Sequence, residues 1–166
     1  MEMVRQGSSI PVPRLIDHGT YADGRRYLTT EYIQGFRLDT LSTRSCSKLE
    51  DQKHTADTPC KDCLDAAYSH ALEFISSTVL PQLSSRKSSL RGINGFVCHL
   101  HGSIPDTQPP WVGKGPWKTL PSELPEYVFQ HDDISAHNII LDTQTLRVKE
   151  LIDFEYTGCY PPGMEN

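Results

Sequence analysis

The sequence predicts an α+β fold, because two antiparallel strand pairs lie on either side of a helical stretch. Residues 14–21 and 26–33 are rich in branched and aromatic side chains and surround Asp23-Gly24, whose glycine can supply the positive φ of a tight turn. Residues 138–141 and 148–152 repeat this arrangement around a turn-forming segment. The two pairs predict two β-hairpins.

Between the hairpins, the apolar pattern changes to helical spacing. Residues 62–80 carry apolar side chains at steps of 4, 3, 1, 3 and 4, which predicts one helix with a single buried stripe, ending at Pro81. Residues 38–41 predict one short helix, and residues 1–10 the end of another, since Pro11 and Pro13 cannot continue it. The predicted buried stripe consists of Leu64, Tyr68, Ala71, Leu72, Ile75 and Val79.

Composition limits the class of protein. The chain has 166 residues, enough for one domain with a core, and 12 prolines, which predict long loops. The net charge of −5 argues against a nucleic-acid partner. No apolar run approaches the roughly 20 residues of a membrane span, and no signal pattern begins the chain, so we expect a cytoplasmic protein without a membrane partner.

The cysteines allow two interpretations. Their odd number, five, favours reduced thiols over a secreted disulfide framework. Cys60-x-x-Cys63 with Cys98 and His101 can be drawn as a four-ligand zinc site, but a single CxxC is weak evidence, and a chance pair of thiols is the favoured interpretation.

The second hairpin carries residues suited to metal chemistry. The pattern His131-x-Asp133-x4-Asn138 leads into it, and Asp153 follows it. Folding about the turn sets Asn138 opposite a residue near Leu151, which leaves Asp153 about two positions along, or roughly 7 Å away. An amide oxygen and a carboxylate at this separation are hard ligands of the kind that Mg²⁺ prefers.

These residues resemble the aminoglycoside phosphotransferase and choline kinase-like family, relatives of protein kinases. Residues 10–13 (Ile-Pro-Val-Pro) and 30–35 (Thr-Glu-Tyr-Ile-Gln-Gly) resemble the family too, especially its fungal branch, in matching order. The resemblance implies a partial protein-kinase-like fold: residues 1–33 as the remnant of an N-terminal lobe with an antiparallel sheet, and residues 34–166 as an incomplete helical C-terminal lobe that carries the catalytic hairpin. Residues 84–122 are predicted as a long loop in that lobe.

The resemblance also implies roles, position by position. Asp133 matches the catalytic base and His131 the residue that braces its loop, while Asn138 and Asp153 match the Mg²⁺ ligands. The activity implied is ATP- and Mg²⁺-dependent phosphoryl transfer to a small-molecule hydroxyl. The implied adenine contacts are Glu31, Tyr32 and Ile33 as the hinge and Ile140 as the apolar floor.

The sequence departs from the family pattern in three ways. The glycine-rich phosphate loop and the phosphate-binding lysine of the family would precede residue 1, and most of the helical portion that normally follows the metal-binding aspartate is missing. We therefore expect a chain truncated at both ends with impaired turnover. Asp132 stands where the family usually has glycine, which places a second carboxylate beside Asp133.

Two other functions stay open. One is a non-catalytic kinase-like remnant that binds nucleotide or a partner. The other is a metal-dependent phosphohydrolase that uses His131-Asp132 with His99 or His101 and with Asp153, although such sites favour a His-Asp pair on a helix.

Overall fold

A computed structural model describes residues 1–44, 46, 60–93, 96–97, 118–119 and 123–163. The chain divides into two compact units, each assembled from three separate segments. The first unit comprises Met1–Pro13, Tyr32–Gln82 and Ile134–Asp153, and the second comprises Arg14–Glu31, Leu83–Asp133 and Phe154–Asn166. Small antiparallel sheets and a few helices make up the described part, which confirms the mixed α+β class. The predicted domain boundary at residue 33 stays a prediction.

The N-terminal hairpin of the second unit has the predicted form. Strand β1 (Leu15–Thr20) pairs antiparallel with β2 (Arg26–Thr30), and Gly24 takes a φ of +85° in the turn between them. The Gly24 amide donates to the carbonyl of Tyr21 at 2.9 Å. Among the described strands, β1 and β2 pair only with each other, and Leu28 is 61% exposed. The hairpin thus presents apolar surface, as expected for strands suited to a larger sheet.

A three-stranded sheet forms the centre of the second unit. Strand β7 (Tyr127–Gln130) is buried along its whole length and pairs with β4 (Lys87–Ser88) on one side and β10 (Gly158–Tyr160) on the other. Strands β5 (Phe96–Val97) and β6 (Lys118–Thr119) form a further antiparallel pair. Short strands therefore interrupt residues 84–122, which were predicted as a loop. The rest of that prediction beyond residue 93 lies outside the described residues.

The first unit is built around the second predicted hairpin. Strand β8 (Ile139–Leu141) lies between β3 (Phe36–Arg37) and β9 (Val148–Leu151). Pro11, which has no amide hydrogen to contribute, accepts a hydrogen bond from the Leu151 amide at 2.9 Å, so the proline-rich segment lies along β9.

Gly35 is needed where the chain enters β3. A Cβ at this position would lie 2.4 Å from the Leu141 carbonyl oxygen, so any side chain would force the two backbones apart.

The turn between β8 and β9 is organised by one carboxylate. Asp142 Oδ1 accepts hydrogen bonds from the Gln144 amide at 3.1 Å, the Thr145 amide at 2.8 Å and the Thr145 hydroxyl at 2.9 Å. These bonds, those of Thr145 foremost, hold the pKa of Asp142 below its usual value. Leu146 closes the turn with a φ of 56° and is buried.

The helices differ from prediction in two respects. Besides α1 (Glu2–Gly7) and a 3₁₀ helix at Leu38–Thr43, the described helices include α2 (Lys61–Phe74), which continues through a π-helical turn (Ile75–Val79) into α3 (Leu80–Ser84). The prediction that the helix ends at Pro81 was therefore wrong. In the π turn the Leu80 amide bonds to the carbonyl five residues earlier, at Ile75, and this wider turn accommodates the proline ring and its missing donor.

The buried face of α2 also differs from the predicted stripe. Cys63, Ala67 and Ala71 are buried at successive i, i+4 positions, whereas Tyr68 is 42% exposed and Leu72 is 64% exposed. Small side chains let α2 pack closely against β9 and the 3₁₀ helix, and larger ones would hold these elements apart. Of the predicted stripe, only Ala71 and Val79 are buried. No helix in the described ranges is long and apolar enough to cross a membrane.

Enlarging a residue on the buried face of α2 tests this assignment. We expect Ala71→Leu to lower the free energy of unfolding by about 1–3 kcal/mol, because the added methylenes have no space. Leu72→Ala, one position along, should change it by less than about 0.5 kcal/mol. Urea unfolding of the two variants measures both values, and equal effects would contradict the assignment.

The lowered pKa of Asp142 predicts a pH-dependent contribution to stability. A carboxylate whose pKa falls on folding stabilises the protein above its unfolded pKa, about 4, and loses this effect as the pH falls through the folded value. The stability difference between the parent protein and Asp142→Ala should therefore shrink below about pH 4. Asp142→Asn, which retains an acceptor oxygen without a charge, provides the control; a difference for Asp142→Ala that stays constant on acidification would exclude the carboxylate as its source.

Candidate functional site

The two predicted metal ligands lie at the same end of the β8–β9 hairpin. Ile139 pairs with Leu151, and the Ile152 amide donates to the Asn138 carbonyl at 2.9 Å, so Asn138 lies opposite Ile152, and Asp153 is the next residue after that pairing. Asn138 ends a 3₁₀ turn (Ala136–Asn138) and is 2% exposed, while Asp153 is exposed. The predicted hairpin register is thus present, within one unit of the structure.

The backbone at Asp153 is unusual. Its φ of 64° lies in the left-handed region, which costs an L-residue about 1–2 kcal/mol. Aspartate is among the few side chains that tolerate it. Such a conformation persists only where the surrounding structure holds it in place, and it occurs often at functional sites.

The two predicted catalytic residues belong to the second unit, directly after β7. His131 is fully buried, and its Nδ1 accepts a hydrogen bond from the Asp133 amide at 3.3 Å. The ring lies 4.4 Å from that of Phe154, with the planes tilted by 59°. The Thr157 hydroxyl donates to the His131 carbonyl at 3.5 Å. His131 is therefore held from several sides, and it holds the backbone of Asp133.

Phe154 and Thr157 were not predicted as site residues. Phe154 follows the metal-ligand position Asp153 directly, and an aromatic residue there was visible in the sequence without an obvious role. Thr157 had no local signal, since its link to His131 depends on the chain turning back after residue 153. Both act on His131 rather than as reactive groups.

Asp132 has a backbone conformation that favours glycine. Its φ is 65°, in the region that glycine adopts without penalty, and the side chain is 4% exposed. Aspartate thus occupies a left-handed position between His131 and Asp133, and the loop keeps the backbone form that a glycine would give it.

The predicted nucleotide contacts fall in both units. In the second unit, Glu31 bonds to the Arg14 backbone twice: its amide donates to the carbonyl at 3.0 Å and its Oε1 accepts from the amide at 2.7 Å. In the first unit, Tyr32 is 88% exposed, and Ile33 and Ile140 are half-buried. Ile140 pairs with Arg37 of β3.

One cavity of the first unit has none of these residues in its lining. It has a volume of about 250 Å³ and is bordered by α2, its π turn and the start of β9. The candidate site is therefore identified by its chemical composition and hairpin register. The cavity is lined by His70, Glu73, Phe74, Ser77, Thr78, Arg147 and Val148.

Comparison with known proteins gives one family match. Residues 97–165 match the phosphotransferase enzyme family, APH. This segment is phosphotransferase-like, and the match confirms its resemblance to the aminoglycoside phosphotransferase and choline kinase-like family. It includes the predicted catalytic and metal-ligand positions but not residues 31–33, and it covers less than half of the 166 residues. No curated protein and no solved structure matches the chain. The fungal branch and the truncation stay predictions.

The phosphohydrolase alternative gains no support from the geometry of His131. The residue follows a strand rather than lying on a helix, and its Nδ1 is engaged by the Asp133 amide. His99 and His101, the other ligands of that alternative, lie outside the described residues, as does Cys98.

The left-handed backbone of Asp132 generates a stability prediction. Asp132→Gly and Asp132→Ala remove the same carboxylate, but only alanine retains a Cβ in the left-handed region, so the alanine variant should be less stable by about 1 kcal/mol. At the exposed helical position Asp65 the order should reverse, with Asp65→Gly less stable than Asp65→Ala by about 1 kcal/mol. Thermal unfolding of the four variants measures both differences, and the same order at both positions would contradict the backbone assignment.

Proposed function

We propose that the protein catalyses ATP- and Mg²⁺-dependent phosphoryl transfer to the hydroxyl of a small molecule. The observation that carries the proposal is the β8–β9 register, which sets Asn138 and Asp153 at one end of a hairpin within the segment that matches the phosphotransferase family. In this proposal the fold is a partial protein-kinase-like fold.

Asn138 and Asp153 would hold Mg²⁺. An amide oxygen and a carboxylate are hard donors that suit this ion. The burial of Asn138 limits its movement, and the exposure of Asp153 leaves its carboxylate open to a partner. Bound there, Mg²⁺ would supply charge neutralisation on the transferring phosphate. The protein residues would fix its position, because phosphoryl transfer depends mainly on positioning and electrostatics.

Asp133 would act as the base that accepts or orients the proton of the acceptor hydroxyl. The loop that carries it is held through its own amide, which donates to His131 Nδ1. That bond requires an unprotonated Nδ1, so the neutral ring carries its hydrogen on Nε2. His131 is a positioning residue: it fixes the backbone of Asp133 and does not touch substrate.

Residues 31–33 and Ile140 would contact the adenine of ATP. The Glu31 amide is already bonded to Arg14, so this residue would contribute its carbonyl oxygen rather than its amide. The half-buried side chain of Ile140 offers an apolar surface for a ring. The acceptor would be a small molecule, and the net charge of −5 is compatible with a cationic one such as an amine.

Turnover of Mg·ATP by the purified chain tests the proposal. Phosphate transfer from γ-labelled ATP, to water or to hydroxyl-bearing amines such as choline, should require Mg²⁺ and should fall about 10²–10⁴-fold in Asp133→Ala. Asp153→Asn should lower the rate and raise the Mg²⁺ concentration needed for half-maximal turnover, since it removes a charged ligand. Asp65→Ala, on the exposed face of α2, is the control and should behave like the parent protein.

Three outcomes would contradict phosphoryl transfer by this site. Turnover that survives in Asp133→Ala would exclude Asp133 as the base. Mg²⁺-dependent ATP binding without any turnover would favour the non-catalytic remnant. Phosphate release from p-nitrophenyl phosphate in the absence of ATP, with dependence on Asp132, would favour the phosphohydrolase.

A further inference from the structure

Three cysteines of the first unit converge in a buried cluster. The sulfur atoms of Cys46, Cys60 and Cys63 all lie within 4.8 Å of one another, and those of Cys46 and Cys63 are 3.5 Å apart. The three residues are 6%, 2% and 1% exposed. None of the three is in a disulfide. None of the three cysteines is among the candidate phosphotransfer residues, and the proposed function does not use them.

We propose that Cys46, Cys60 and Cys63 form a metal site that binds Zn²⁺ through three thiolates. This site differs from the zinc site considered on the sequence, in which Cys98 and His101 joined the CxxC pair. Cys46 takes part instead, 14 positions before Cys60, and the pattern becomes Cys-x13-Cys-x2-Cys.

The spacing of the sulfur atoms matches tetrahedral zinc. With Zn–S bonds of about 2.3 Å, two ligands of a tetrahedron lie about 3.8 Å apart. The Cys46–Cys63 distance of 3.5 Å and the 4.8 Å limit on the whole group bracket this value. Small movements of the side chains would close the group around an ion.

The secondary structure presents the CxxC pair in a suitable way. Cys60 is the N-cap of α2, and Cys63 lies in the first helical turn. Three residues along a helix brings two side chains to one face, and the positive end of the helix dipole favours the negative charge of thiolates there. Cys46 reaches the pair from the segment that follows the 3₁₀ helix Leu38–Thr43, which itself packs against α2.

The chemistry of the donors selects the metal. Thiolates are soft ligands that favour Zn²⁺ over Mg²⁺ or Ca²⁺, whereas the oxygen donors Asn138 and Asp153 have the opposite preference. Buried thiolates need a compensating charge, and a divalent cation provides it. The two sites would therefore take different ions from the same solution.

Metal analysis of the intact chain tests the proposal. Protein purified under reducing conditions from zinc-containing medium should contain about one Zn²⁺ per chain by elemental analysis, held by three thiolates. Replacing it with Co²⁺ should give thiolate-to-cobalt charge-transfer bands and the visible spectrum of a tetrahedral ion. Cys60→Ser and Cys63→Ser should each lose stoichiometric zinc. Cys46→Ser should do the same, which separates this site from a site built on the CxxC pair alone.

Cys159 is the matched control. It lies in β10 of the second unit, and burial raises the pKa of its thiol, which disfavours the thiolate. Cys159→Ser should therefore keep its zinc. If the other cysteine variants do not fold, the Co²⁺ spectrum of the parent protein still tests whether thiolates bind the metal. A parent protein without zinc and without thiolate-to-cobalt bands would overturn the proposal, as would a Cys46–Cys63 disulfide in the purified protein or full zinc content in Cys46→Ser.

Discussion

The pairing register of β8 and β9 is the constraint on which the candidate site depends. Because side chains alternate across a strand, a slip of one residue would turn every side chain of the hairpin to the opposite face and move Asn138 relative to Asp153. The turn prevents this: Asp142 gathers two amides and a hydroxyl, and Leu146 buries its side chain beside them. The hydrogen bonds of the turn therefore determine the relative positions of Asn138 and Asp153, whose side-chain oxygens suit a metal ion.

The candidate site also depends on two aspartates with left-handed backbones. Asp132 precedes the proposed base, and Asp153 is itself a proposed metal ligand. Aspartate is better tolerated there than a branched residue would be, but the conformation still opposes folding and must be held by its neighbours. At the first position glycine would remove the strain, and the aspartate places a second carboxylate beside Asp133.

The parts predicted correctly from sequence are those set by nearby residues. Both hairpins follow from turn residues a few positions apart, and the Asn138–Asp153 relation follows from counting along one of them. The buried face of α2 was wrongly predicted because periodicity gives weight to large apolar side chains. The face that packs closely in the structure carries the small residues Cys63, Ala67 and Ala71. The prediction that the helix ends at Pro81 was wrong because proline breaks a helix when the turn before it is α-helical, and here that turn is π-helical. The approach of Cys46 to Cys63 joins residues 17 apart through a segment without a periodic pattern, so no local rule could find it.

Helix α2 connects the proposed zinc site to the proposed Mg²⁺ ligands. Cys60 and Cys63 lie at the start of this helix, and Ala67 and Ala71 continue the buried face of Cys63. One further contact reaches the hairpin: His70 Nδ1 lies 3.1 Å from the carbonyl oxygen of Leu146, the residue that closes the β8–β9 turn. A metal at the cysteines would fix the start of α2, α2 would fix the turn through His70, and the turn sets the register that positions Asn138 and Asp153. Loss of zinc should then loosen the hairpin without changing a reactive group. The rate of phosphoryl transfer would fall because Asn138 and Asp153 are less well positioned, while Asp133 would remain the base.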